Sequence, residues 1–309
     1  MNRFCALTGC RLPIQQAGMS RVTTPALAAA VSEAGGLGML AVGRQGVGTT
    51  KAEVDAVRRL TRHPVGASVL VKFLVPETVA YLAEQMPVVE FFWGWPEAAV
   101  VPAGPVVGWQ VGSVEEALAA QDAGCHYVVA QGVEAGGHVR GSVPRRELVP
   151  AVRAAVEVPV VAAGGIGTGD DVRDALEMGA DAVRIGTRFV ASAEADAHPR
   201  YLAALIGAGP DDTALTDVFD VGWPDAPTRA LACSVAAALA SGPDPVGTML
   251  LSDGTRRDLP RRGPTPPTST TIGDISAMPF YAGTGVGAVT GRMPAASIVA
   301  ELGAGLGER

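Results

Sequence analysis

The sequence predicts a (β/α)8 barrel, an α/β fold, and three observations carry that prediction. Eight short apolar runs rich in Val and Ile alternate with helix-forming segments. The runs are apolar throughout, which is the pattern of strands in a parallel sheet covered on both faces. Two stretches, EEALAAQDAGCHYVVAQG at 115–132 and DDVRDALEMGADAVRIGT at 170–187, superpose without gaps at an offset of 55 residues. Two helix-plus-strand units have about that length. Eight strands favour a closed barrel. An open doubly wound sheet stays as the alternative, because periodicity does not show closure.

The strands fall at 12–16, 38–42, 65–70, 88–93, 105–110, 127–131, 159–163 and 182–186. Between them lie helices with readable ends. Thr24 and Pro25 offer a capping hydroxyl and a proline at the first helical position, and Gly35-Gly36 closes that helix. Ser113 opens S-V-E-E, a capping box in which serine and glutamate satisfy orphan backbone donors, and Gly124 ends its helix. Thr168 or Asp170 starts the next, which stops at Gly179.

After about residue 192 the alternation breaks. Residues 192–275 hold a helix near 199–206, a short run at 213–221, a helix near 229–239 and a Gly/Pro/Asp-rich tract through Thr271. They read as a helical and loop insertion packed beside a barrel made of 1–191 and 276–309. A last amphipathic helix spans 292–302, with Pro294 near its start.

With 309 residues, 48% of them hydrophobic, the chain can bury a large core. A net charge of −7 argues against nucleic-acid partners, which a basic stripe would signal. The cations at 256, 257, 261 and 262 read as a solvated loop. No apolar stretch is long enough to span a bilayer. The apolar part of MNRFCALTGCRLPI is too short for a secretory leader, so a cytoplasmic protein is expected. Cys5, Cys10, Cys125 and Cys233 lack metal-site spacing, as do His63, His126 and His198. They read as reduced, mostly buried thiols and ordinary histidines, with no metal.

Barrel active sites form at the carboxyl ends of the strands, and here those ends are rich in glycine. The first strand leads into AGMS, the sixth into QGVEAGGH, the seventh into AAGGIGTGD and the eighth into RIGTRF. One Gly-Gly turn is an ordinary strand-to-helix connection. Two on adjacent strands, each before a helix, point to a phosphate-bearing ligand held by backbone N–H groups. Thr187 adds a hydroxyl. GGLGML at 35–40 follows a helix and precedes a strand, the wrong setting for a dinucleotide fingerprint.

PIQQAGMSRVTTPALAAAVSEAGGLGML, AQGVEAGGHVRG, PVVAAGGIGTGDDVRDALEMGADAVRIGTRFVAS and FYAGTGVGAVTGRMPAASIVAEL run in the same order as in the nitronate monooxygenase family. The sequence resembles that family over nearly its whole length. The resemblance implies a barrel that binds FMN and oxidises alkyl nitronates to carbonyl compounds and nitrite with dioxygen. It implies that Gly18, Met19, Gln131 and Gly136 lie against the flavin. It also implies that Gly164, Gly165, Arg184, Ile185, Gly186 and Thr187 hold the ribityl phosphate. His138 matches the family's catalytic histidine, and an imidazole can exchange a proton with a nitroalkane carbon near neutrality.

Glu134 reads as an anchor for loop N–H groups and receives no catalytic role. The cluster FFWGW at 91–95 reads equally as a substrate wall or as barrel packing. Arg229 resembles a family arginine and is left outside the site. The chain departs from the family pattern at Gly18, where proline is usual, and at Ser68, where asparagine is usual. A serine still bonds a flavin edge, with shorter reach. Phe92 stands where histidine is frequent, and the tail carries GTG where GQ is common. These departures bear on the substrate more than on the flavin. Competing readings are an NAD(P)H-dependent enoyl-thioester or quinone reductase, a flavin-free sugar-phosphate barrel, and a non-catalytic flavin binder.

Overall fold

The structure, a computed structural model, describes residues 2–43, 45–251 and 254–307. Eight parallel strands form one sheet: Ile14–Gln16, Gly38–Val42, Val65–Leu70, Val88–Phe92, Val106–Val111, Tyr127–Gln131, Val160–Ala163 and Ala182–Ile185. From the second to the eighth each pairs with its neighbour in chain order, and the first pairs with the eighth, Gln15 opposite Arg184. The remaining seam is closed by a parallel bridge from Gln15 to Leu37. There the Leu37 amide donates to the Ile14 carbonyl (2.8 Å) and the Gln16 amide to the Leu37 carbonyl (3.0 Å). The sheet is therefore a barrel, and the open alternative falls.

The ends of the strands differ slightly from the sequence reading. The first strand begins at Ile14, because Pro13 has no N–H and the Leu12 amide is taken by the Gly35 carbonyl. The fourth ends at Phe92, because Trp93 turns into the left-handed region, φ 64°. The helix stops hold: Gly35, Gly124 and Gly179 have φ of 106°, 93° and 97°, where glycine avoids a Cβ clash. Thr168 caps Gly169–Glu177, and Asp171 completes its capping box. Ser113 accepts from the Glu116 amide as expected, but the Glu116 carboxylate bonds the Gly112 amide (2.7 Å) and Arg140. The box is thus only half formed.

Two apolar regions hold the barrel together. The larger lies between the strands and the surrounding helices. The smaller gathers Phe4, Leu37, Met39, Val88, Tyr127, Val129 and Val161, where Phe4 of the N-terminal helix Arg3–Thr8 meets Tyr127 edge-on at 5.4 Å. Side chains therefore fill the barrel interior, and a ligand site is left to the strand ends.

Residues 192–275 hold strands as well as the expected helices and loops. The segment near 229–239 begins as a strand, Thr228–Leu231, and turns helical only at Ala232–Leu239. The strand pairs antiparallel with Thr213–Thr216 on one side and with Gly137–His138 on the other. Those pairings take up backbone groups that a helix would have used itself. A second small sheet, Gly247–Leu250, Arg256–Leu259 and Ile272–Gly273, lies inside the Gly/Pro/Asp-rich tract. Arg256 and Arg257 are thus strand residues and not loop. Arg261 is not simply solvated either: it donates to the carbonyls of Ala237, Ala240 and Pro243. The last helix is Ala295–Gly303 with Pro294 at its cap, three residues later than read.

Candidate active site

A cavity of about 760 Å³ opens at the carboxyl ends of the strands. Gly18 and Met19 line it after the first strand, Ser68 on the third, and Gln131, Gly136 and His138 at the sixth. Gly164 and Gly165 line it after the seventh strand, and Arg184, Ile185, Gly186 and Thr187 at the eighth. Every residue that the sequence reading placed in the site thus faces one space. Residues 192–275 supply an outer wall through Trp223, Met249, Arg257 and Leu259.

The loop after the sixth strand is tightly held. The Gln131 side chain donates to the His138 carbonyl (2.9 Å) and accepts from the Arg140 amide (3.0 Å), which ties the two ends of the turn. His138 also sits in register opposite Thr228 of the insertion. Arg140 bonds Glu116 (2.6 Å) and lies 5.5 Å over the Trp93 ring. Arg229 donates to the Val133 carbonyl (2.9 Å) and to Thr213 (3.2 Å), which fastens the insertion to the same loop and gives that arginine a structural task.

Glu134 has a physical role in this arrangement. Both its oxygens accept from the Arg145 amide at 3.0 and 3.1 Å, at the first residue of helix Arg145–Ala155. A carboxylate at a helix N-terminus satisfies an orphan donor and opposes the positive end of the helix dipole. Its backbone carbonyl takes the Thr284 amide (3.0 Å) from the tail.

The glycines divide into two kinds. A Cβ at Gly136 would lie 2.5 Å from the Gly283 nitrogen, and one at Gly283 would lie 2.6 Å from the Glu134 carbonyl oxygen. These two residues are glycine because loop and tail pack backbone against backbone. A Cβ at Gly186, by contrast, would meet only Ala17 and Met19 at ordinary distances of 3.6–3.7 Å. Protein packing leaves room there. Gly18 faces Ser68, whose Cβ would lie 3.0 Å from a Cβ at position 18, so the two departures from the family pattern are neighbours.

Electrostatics separate the floor from the rim. Arg184 points into the barrel and pairs with Glu90, both side chains buried. The same carboxylate accepts from Gln15 (2.9 Å) and Tyr127 (3.1 Å). The Arg184 guanidinium is therefore a floor group beneath the cavity. Thr187 Oγ1 accepts from the Gly283 amide (3.0 Å), which leaves its hydroxyl proton free to donate elsewhere.

His138 is enclosed by aromatic rings. It stacks on Trp223 at 3.8 Å and 22°, and Trp93 and Tyr281 stand 5.7 and 5.8 Å away. Burial pushes its imidazole down to about 3, so the ring is neutral at neutral pH. Its Nε2 is buried without a hydrogen-bond partner. Of the FFWGW cluster, Phe91 packs on Trp109 in the core, Phe92 lines the cavity, and Trp93 reaches His138. The cluster is thus divided between core packing at Phe91 and the cavity wall at Phe92.

Sequence reasoning missed Trp223, Tyr281 and Glu53. The first two reach the site from segments without periodic pattern. Glu53 lies on helix Val47–Leu60 and lines the cavity, and burial raises its carboxyl to about 7. Among the described residues no group of three or more His, Cys, Asp or Glu side chains could hold a metal ion. No described helix is long and apolar enough to cross a membrane.

Known proteins resemble this chain in sequence and in fold. The family model described as nitronate monooxygenase matches residues 2–88 and 77–305. A nitronate monooxygenase of Pseudomonas aeruginosa is 36% identical, over 70% of this chain and 76% of its own. A probable nitronate monooxygenase of Staphylococcus aureus is 33% identical, over 71% and 76%. Among solved structures, a nitroalkane oxidase from Streptomyces ansochromogenes superposes with a TM-score of 0.80 at 30% identity, covering 98% of this chain and 97% of that one. FabK from Thermotoga maritima gives 0.77 at 29% identity, covering 98% and 94%. From the matched span, the identity to its relatives and the shared barrel, the chain belongs to the nitronate monooxygenase family of oxidoreductases.

Proposed function

We propose that this protein is an FMN-dependent nitronate monooxygenase acting on small alkyl nitronates and dioxygen in the cytoplasm. The observation that carries the reading is His138, a neutral imidazole with an unpartnered buried Nε2, at a cavity whose rim at Gly186 leaves the backbone open to a ligand.

The residues present fit a flavin phosphate and ring. Gly164 and Gly165 turn with φ of 104° and 66°. With Gly186 and the Thr187 hydroxyl they would hold the phosphate. Gly18, Met19, Ser68, Gln131, Gly136 and Ile185 would border the ring and ribityl chain, over the Arg184 floor. When bound, the flavin supplies the electron acceptor for the substrate and passes the electrons on to dioxygen.

His138 does the remaining work. A nitronate is an anion, and its approach to the imidazole favours the protonated ring, drawing the pKa back up from its buried value. In that protonated state Nε2 can hold a proton against the substrate oxygens, whereas the neutral ring can take one from the carbon of a nitroalkane. The antiparallel pairing with Thr228 and the Gln131 clamp keep the ring in place for either task. Trp93, Trp223 and Tyr281 exclude water around it.

An NAD(P)H-dependent flavin reductase on the same barrel is the rival reading. Anaerobic mixing separates the two. The purified yellow protein is expected to lose its flavin absorbance with propane-2-nitronate and to keep it with NADH or NADPH. Bleaching by a nicotinamide and not by a nitronate would overturn the proposal.

A further inference from the structure

Trp223 is the residue of this site that no strand pattern or glycine motif announces. It arrives from the insertion, on a loop where Gly222 and Asp225 take φ of 77° and 57°. It lines the cavity, yet only 3% of its surface is exposed. Its indole lies nearly parallel to the His138 imidazole. Trp93 meets it edge-on at 5.3 Å, and Phe73 does so from another side at 5.1 Å. Its Nε1 is buried with no hydrogen-bond partner. No polar contact therefore accounts for a tryptophan here in place of a smaller aromatic. What the position uses is the area and flatness of the ring.

One consequence concerns substrate size. The alkyl group of any substrate that reaches His138 shares that space with the indole, because Trp223 covers one face of the imidazole and Trp93 stands against both rings. We propose that Trp223 is a specificity-determining residue that limits the site to short-chain alkyl nitronates. The inference rests on the nitronate reading given above. The indole takes no part in bond making, so its effect is on which carbon chain fits.

The test compares wild type, W223F and W223A, each purified with its flavin, on the nitronates of ethane, butane and hexane. The ratio of kcat/KM for the hexane nitronate over the ethane nitronate should rise by about ten-fold or more in W223A. A single methylene in an apolar pocket is already worth on the order of ten-fold. W223F, which keeps a stacked but smaller ring, should rise by less. FMN affinity, from fluorescence titration of the apoproteins, should be unchanged. If W223A does not fold, the ratio in W223F carries the test. A wild type inert to every nitronate defeats the underlying reading. An active wild type whose chain-length profile is shared by variants that still bind FMN defeats the inference alone.

Discussion

Replacing Glu90 by glutamine tests the floor of the site. The carboxylate is fully buried and Arg184 is 7% exposed, so solvent screens the pair only weakly. Glu90 takes the Arg184 guanidinium on one oxygen and Gln15 and Tyr127 on the other, at 2.9 and 3.1 Å. Ser68, at 3.5 Å, adds little. E90Q conserves shape but leaves the guanidinium buried without its counter-charge. Removing one partner of a buried pair costs about 3–5 kcal/mol. The amide also turns a donor toward groups that themselves donate. Urea unfolding of the apoprotein, followed by circular dichroism and tryptophan fluorescence together, should show a loss of that size with an unchanged m-value. The double variant E90L/R184M removes both charges, and it should recover most of the loss, because apolar replacement of a buried pair is often neutral or stabilising. A loss below about 1 kcal/mol in E90Q, the scale of an exposed pair, would refute a buried ionic floor. So would a double variant less stable than the single one.

Two further outcomes follow from the same geometry. His138 is held near 3 in the folded protein against 6.5 as its ordinary value. Between those values the unfolded chain binds the extra proton, so stability is full above about pH 6.5 and falls as pH drops, by up to about 1.4 kcal/mol per unit from this residue. Urea midpoints at pH 7 and pH 5 should therefore differ more in wild type than in H138N, and equal slopes would contradict a buried neutral imidazole. G136A should destabilise the fold, because its Cβ meets tail backbone at 2.5 Å, whereas G186A should fold like wild type and bind FMN more weakly. Thermal melts with and without FMN distinguish the two, and a G186A protein with unaltered FMN affinity would remove Gly186 from the phosphate site.

How much of this was legible in the sequence depends on what kind of signal each residue carries. The barrel strands were readable because continuous apolar runs have no other use at that spacing, and their ends moved by no more than two residues, as at Pro13 and at the turn of Trp93. The strands within 192–275 were not readable for a related reason. Thr228–Leu231 becomes a strand through partners at Thr213–Thr216 and Gly137–His138, which no local pattern announces. Trp223 and Tyr281 were missed on the same ground, since they reach His138 by long-range return of the chain.

The glycines are the instructive case, because the motif QGVEAGGH with AAGGIG and RIGT looks uniform in sequence. A glycine reports that something comes close to the backbone, and it does not say whether that is protein or ligand. At Gly136 the neighbour is the tail, with Gly283 pressed against it. At Gly186 the protein offers no such neighbour, and the space that a side chain would have filled opens on the cavity. Glu134, unexplained among those glycines as a line of letters, serves the first kind of closeness: its carboxylate and carbonyl hold helix and tail around the loop. The loop's glycines and its glutamate thus build a rigid mount, and His138 is the part of the motif that the mount presents to a substrate.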